Sequence, residues 1–180
     1  MSAMTPDLST ILAWLRRQAP AAQLSSDSRS IKLGDVFFAY PGDTADGRSY
    51  IDAAIENGAK AIVYEANDFT WNGAWSVPHL AVANLREQAG HIANAYYAQP
   101  DSKMFVVAVT GTNGKTSCTQ WIGSALSQSG EPTAVIGTLG VGLYSNGTHG
   151  EFQSTGYTTP DAILLQRHLA AMRDAGAKVL

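Results

Sequence analysis

The sequence predicts an α/β protein: a small N-terminal α/β domain, then the beginning of a second domain built on a parallel sheet. Three observations predict it. Short, unalternating apolar runs such as Asp35–Tyr40 and Met104–Val109 are separated by helical patterns, which is how strands buried on both faces of a parallel sheet read. A glycine-rich turn at 110–114 stands between one such run and a helix. The polar, proline-containing stretch Gln99-Pro100-Asp101-Ser102 separates two self-consistent patterns, giving domains at 1–100 and 101–180.

The elements follow in order. Thr5-Pro6-Asp7 reads as a helix start, with Thr5 as N-cap and Pro6 at the first helical position. Leu8, Ile11, Leu12 and Leu15 then mark one buried face, and Pro20 ends the helix. Residues 35–40 form a strand and 41–48 a loop. Ser49 is expected to cap a second helix that Gly58 stops. Ala61–Tyr64 and His79–Ala83 are strands, and Asn84 with Glu87 resembles a capping box opening a helix to about Ala98. Beyond the boundary, Met104–Val109 is expected to be a strand buried on both faces. A helix from Lys115 to Ser129 and a strand at Thr133–Thr138 complete a βαβ unit. Residues 139–153 read as a hairpin around Ser145-Asn146-Gly147. Thr159-Pro160 opens a last helix, Gly176 ends it, and residues 177–180 start a third strand. Two strands and the start of a third offer too little core to close a sheet domain, so the second domain is expected to be truncated or completed by something else.

Composition excludes several classes. The chain has 180 residues, is 45% hydrophobic and 15% charged, and carries a formal net charge of −3. This is a globular composition without the basic footprint of a nucleic-acid binder. Up to residue 100 there are 7 basic and 10 acidic residues, and 5 of each thereafter, so neither half is a charged arm. The single cysteine, Cys118, permits no internal disulfide and is expected to be a small buried hydrophobe. The first thirty residues hold no signal-like apolar run, and no stretch is long enough to span a bilayer. The expectation is a cytoplasmic protein with no nucleic-acid and no membrane partner. The four histidines show no metal-ligand spacing, and the tryptophans are scattered along the chain.

The chemistry sits in Thr110-Gly111-Thr112-Asn113-Gly114-Lys115-Thr116-Ser117. Placed between a strand and a helix, this segment lets backbone N–H groups converge on a phosphate chain. Gly111 and Gly114 allow close approach, Lys115 would reach the β/γ-phosphates, and the Thr116 hydroxyl would ligate Mg²⁺. The spacing departs from G-x-x-x-x-G-K-[ST], because Val109 stands where that motif has its first glycine.

T-G-T-N-G-K-T resembles the ATP loop of the Mur ligases. Asp27-Ser28-Arg29, Gly34–Ala39 and Asp46–Tyr50 resemble the family's uridine-nucleotide-binding domain, and Ile136–Gly140 with Thr158-Thr159-Pro160 resemble the branch that adds the third amino acid of the peptide. The resemblance covers nearly all of the chain and implies the N-terminal third or so of such a ligase, ending in an incomplete P-loop-type ATPase domain. It implies ATP and Mg²⁺ at Gly111 to Ser117, with Lys115 and Thr116 catalytic and Thr116 on the metal. It implies binding of UDP-N-acetylmuramoyl-dipeptide by Ser26, Ser28, Asp43, Thr44, Ala45, Tyr157, Thr158 and Thr159, with a free amino acid as second substrate. Relatives often carry His-Gln-Ala where this chain has Asp43-Thr44-Ala45, a leucine where it has Ser26, and asparagine where it has Tyr157. The implied reaction forms an acyl phosphate and then an amide; the sequence does not name the amino acid, for which meso-diaminopimelate is the base-rate expectation. The 180 residues alone are expected not to turn over. Two alternatives stay open: a non-catalytic UDP-sugar or nucleotide-binding module, and another Mur-type ligase.

Overall fold

The computed structural model describes residues 6–154 and 160–180. The chain divides into two compact units, Met1–Tyr96 with Ala162–Leu164, and Tyr97–Asp161 with Leu165–Leu180.

The first unit is built on a four-stranded, all-parallel sheet. Its strands are β1 (Leu24–Ser25), β2 (Val36–Ala39), β3 (Ala61–Glu65) and β4 (His79–Val82), in that order across the sheet. The helices are α1 (Leu8–Gln18), α2 (Ile51–Glu56) and α3 (Leu85–Tyr96). Phe37, Ala39, Ile62 and Tyr64 share one face with Ile51 and Ala54 of α2, in a single buried cluster. The alternate residues Val36, Phe38, Ala61 and Val63 are also buried. Burial on both faces explains the unalternating runs. The short β1 carries no apolar run of its own and escaped the sequence reading.

Several helix starts differ from expectation. The N-cap of α1 is Asp7, not Thr5, and its carboxylate accepts from the Thr10 N–H at 2.8 Å. Asp46, not Ser49, caps the chain into α2, through a 3₁₀ turn over Gly47–Tyr50. No capping box is needed at α3, because Glu65, at the end of β3, accepts from the Asn84 N–H at 3.1 Å and the Leu85 N–H at 2.7 Å. In each case a carboxylate accepts from N–H groups that have no partner within the helix, a charge-assisted bond. Gly58 ends α2 with φ +98°. The loop 66–78 lays Phe69, Trp71, Trp75 and Val77 against the α2-side core. Trp71 stacks on His79 at 3.9 Å and meets Trp75 edge-on at 4.8 Å, so these two tryptophans are not scattered in space.

In the second unit α4 (Lys115–Gln128) packs on β5 (Thr133–Gly137) and β6 (Gly140–Ser145). These strands pair antiparallel, and β7 (Thr148–His149) extends the hairpin through Asn146-Gly147. Both turn residues have positive φ, 51° and 78°, as the Asn-Gly pattern predicts. α5 (Ala162–Asp174) ends before Gly176, whose φ is +92°.

The strand expected at Met104–Val109 is reduced. Phe105 bridges Val179 in parallel, and Val179 bridges Thr133 on its other side. Residues 177–180 therefore lie between the two segments expected to be neighbours. Phe105 is 70% exposed and Val106 47% exposed. The double-sided burial read from this run is not formed among the described residues. Cys118 is exposed, not buried, because it faces outward on the first turns of α4.

Candidate functional site

The candidate residues fall at two places, one in each unit. In the first unit they follow the carboxyl ends of adjacent parallel strands, the edge at which open α/β sheets bind ligands. Ser26 and Ser28 follow β1, and Asp43, Thr44 and Ala45 follow β2. Ser28 is buried at the start of a 3₁₀ turn, and its carbonyl accepts from the Asn57 side chain at 3.0 Å. Asp27 caps that turn and holds Arg29 through two contacts, at 2.9 and 3.0 Å. The D-S-R motif is thus a polar 3₁₀ turn, shaped by Asp27 and Arg29 and braced from the end of α2 by Asn57.

The turn after β2 closes by the Gly42 N–H donating to the Ala45 carbonyl, with Pro41 bridging Asp46. Asp46 then grips Arg48 from both carboxylate oxygens, and Arg48 also donates to the Asn67 carbonyl and lies over the Phe69 ring at 5.0 Å. The Arg48 hydrogen bond holds the Asp46 carboxyl below its ordinary range. Gly47 is required here: a Cβ would stand 2.7 Å from the Tyr40 carbonyl oxygen. Arg86 carries no sequence signal of its role. Its guanidinium donates to Asp43 at 2.7 Å, from 43 residues further along the chain. No local pattern signals a pair so far apart.

In the second unit the glycine-rich segment leads into α4, as expected. Gly111 and Gly114 have φ of +140° and +78°. Gly114 is the N-cap and supplies no side-chain acceptor, and the first helical bond runs from Cys118 N–H to the Gly114 carbonyl. The N–H groups of the first turn have no partner within the helix. The Lys115 ammonium folds back to the Gly111 carbonyl at 2.5 Å, across the mouth of the loop. Thr112, Asn113 and Ser117 are exposed, and Thr116 is half-buried. A glycine loop, a lysine and a helix start suit a phosphate chain. For a divalent cation this unit offers the Thr116 hydroxyl, and no group of three His, Cys, Asp or Glu side chains gathers among the described residues. That fits Mg²⁺ held mostly by phosphate and water. Tyr157, Thr158 and Thr159 lie outside the described residues.

Two α/β units, the second with a glycine loop at its first helix, define a P-loop-type α/β protein. Residues 21–97 match the model "Mur ligase family, catalytic domain", and residues 109–180 match "Mur ligase middle domain". The chain belongs to the Mur ligase family, of which it carries the N-terminal and middle-domain sequences. It is 64% identical over 176 residues to a UDP-N-acetylmuramoyl-L-alanyl-D-glutamate--2,6-diaminopimelate ligase of Janthinobacterium sp. (strain Marseille), covering 98% of this chain and 35% of that one. A protein of the same name from Chromobacterium violaceum is 44% identical over 162 residues, covering 89% of this chain and 32% of that one. A solved structure of a ligase of this name superposes with TM-score 0.63 at 31% identity, covering 87% of this chain and 30% of that one. The chain thus spans about a third of the length of the curated relatives it matches.

Proposed function

We propose that the chain supplies the nucleotide-sugar and phosphate-binding parts of an ATP-dependent ligase of peptidoglycan precursor synthesis. The ligase would join meso-diaminopimelate to UDP-N-acetylmuramoyl-L-alanyl-D-glutamate. The observation that carries this reading is the 64% identity, sustained over 176 residues, to a relative of that name.

Residues 1–100 hold the nucleotide sugar in this proposal, through the turns bearing Ser26, Ser28 and Asp43–Ala45. Residues 101–180 hold the ATP phosphates. The substrate carboxylate attacks the γ-phosphorus, the γ-phosphoryl bond to ADP breaks, and an acyl phosphate forms; the amine then displaces phosphate. An anion attacking an anion needs positive charge at the transferred group. Lys115 supplies it on leaving the Gly111 carbonyl, and the N–H groups at the start of α4 add to it. Mg²⁺, when bound, would neutralise phosphate charge beside the Thr116 hydroxyl. Thr158 and Thr159 complete the muramoyl-peptide contacts in this reading, with Tyr157 beside them. Among the described residues no helix is long and apolar enough to cross a membrane. A cytoplasmic location and the absence of nucleic-acid and membrane partners belong to the same proposal.

Calorimetric titration with UDP-N-acetylmuramoyl-L-alanyl-D-glutamate, with UDP as competitor, tests the first site. Binding that UDP displaces is expected; no binding by a folded chain would overturn the nucleotide-sugar reading. Titration with ADP tests the second site, and Lys115→Ala is expected to weaken it at least tenfold.

A further inference from the structure

Asp43 has the wrong charge for its position. It stands on the turn after β2, at the sheet edge where the diphosphate of a nucleotide sugar is proposed to lie, and a carboxylate there repels an anion. The structure gives this carboxylate a specific partner. Arg86 Nη2 donates to Asp43 Oδ1 at 2.7 Å, and the pair holds the guanidinium firmly in its charged form.

The base of Arg86 is well anchored. It is the second residue of α3, and the backbone N–H groups of Asn84 and Leu85 just before it are held by the buried carboxylate of Glu65. The neighbouring acids on this edge are matched differently. Asp27 pairs with Arg29 and Asp46 with Arg48, each two residues away, and each pair shapes its own turn. The Asp43–Arg86 pair instead ties the turn after β2 to the helix after β4. It is also open to water, with Arg86 51% and Asp43 82% exposed. Such a pair adds little to folding stability. Its consequence is local: it sets the charge and the direction of the Asp43 carboxylate.

We propose that Arg86 is a positioning residue for the nucleotide site. It cancels the Asp43 charge and draws that carboxylate to the start of α3, so that the turn accepts an anionic diphosphate. The inference rests on the nucleotide-sugar reading of this edge.

The test titrates the full chain with UDP and, separately, with uridine. Arg86→Ala uncovers one full negative charge beside a multiply charged diphosphate. UDP affinity is expected to fall roughly five- to tenfold at low salt, with the loss shrinking as salt is raised. Uridine has no phosphate, so its affinity is expected to stay the same, as is the melting temperature. Arg86→Lys keeps the charge and is expected to retain most of the UDP affinity. The same Arg86→Ala change made in an Asp43→Asn background is expected to cost less than twofold.

Equal losses for UDP and uridine would mean a structural role and would overturn the proposal. So would an undiminished UDP affinity in Arg86→Ala. A full loss in the Asp43→Asn background would mean that Arg86 touches the ligand directly, which also overturns it. If the unmodified chain binds neither UDP nor uridine, the nucleotide-sugar reading falls and this inference with it. If the unmodified chain binds both and Arg86→Ala changes nothing, only the inference falls.

Discussion

A methyl group on Gly47 would meet the Tyr40 carbonyl oxygen at 2.7 Å, and the Gly47 N–H donates to that same oxygen at 3.0 Å. Gly47→Ala must therefore push apart the base of the turn that carries Asp43–Ala45. A destabilisation of about 1–3 kcal/mol is expected, read as a lower urea midpoint. The opposite outcome is expected at Ala98, which holds φ +59° without being glycine. The left-handed conformation costs about 1–2 kcal/mol for a residue with a Cβ, more than the extra chain entropy of glycine. Ala98→Gly is expected to leave the midpoint unchanged or raise it. Asp46 shows the pH dependence. Its carboxyl is held below the ordinary value by the Arg48 hydrogen bond. Its stabilising contribution is therefore complete above the unfolded-state value near pH 4 and is lost as pH falls through the lower folded value. Asp46→Asn is expected to melt below the unmodified chain at pH 7, with the gap closing under acid conditions.

At the scale of elements, the groups that cap the helix starts were less legible than the starts themselves: α3 and α4 begin where expected, but α3 is capped from elsewhere. The carboxylate that caps α3 comes from β3: Glu65 reaches N–H groups 19 and 20 residues away and also accepts from the Asn67 N–H at 3.0 Å. Glu65→Ala leaves the buried Leu85 N–H, and the partly buried N–H groups of Asn84 and Asn67, without their acceptor. A cost of about 1–3 kcal/mol is expected in thermal melts, with Glu65→Gln in between because its amide oxygen keeps one bond. Helix ends and hairpins were legible for the converse reason. Gly58, Gly130 and Gly176 all take φ near +90° at helix ends, and Asn146-Gly147 makes the hairpin turn. These conformations depend on the residue itself, so the residue announces them.

Across the molecule the described core includes a buried cluster around Phe37 and Ile62 in the first unit and another around Met104 and Leu169 in the second. Phe37 is fully buried. Phe37→Ala is expected to cost the first unit about 3–5 kcal/mol. Amide exchange protection of residues 134–144 in the second unit is expected to stay unchanged, since no atom of that cluster is removed. The α/β class, most strand and helix cores, the glycine loop before Lys115 and the polar turns bearing Ser28 and Asp43 were all legible in the amino-acid order. Each of these rests on periodicity or on a backbone preference local to a few residues. Folding in three dimensions set the rest: Val179 lies between Phe105 and Thr133, Glu65 caps α3, Trp71 and Trp75 meet, and Arg86 answers Asp43. Those contacts join residues far apart along the chain, except for the neighbouring tryptophans, which a loop folds onto the sheet. Their geometry is set by which surfaces the fold buries together, and no local signal encodes that.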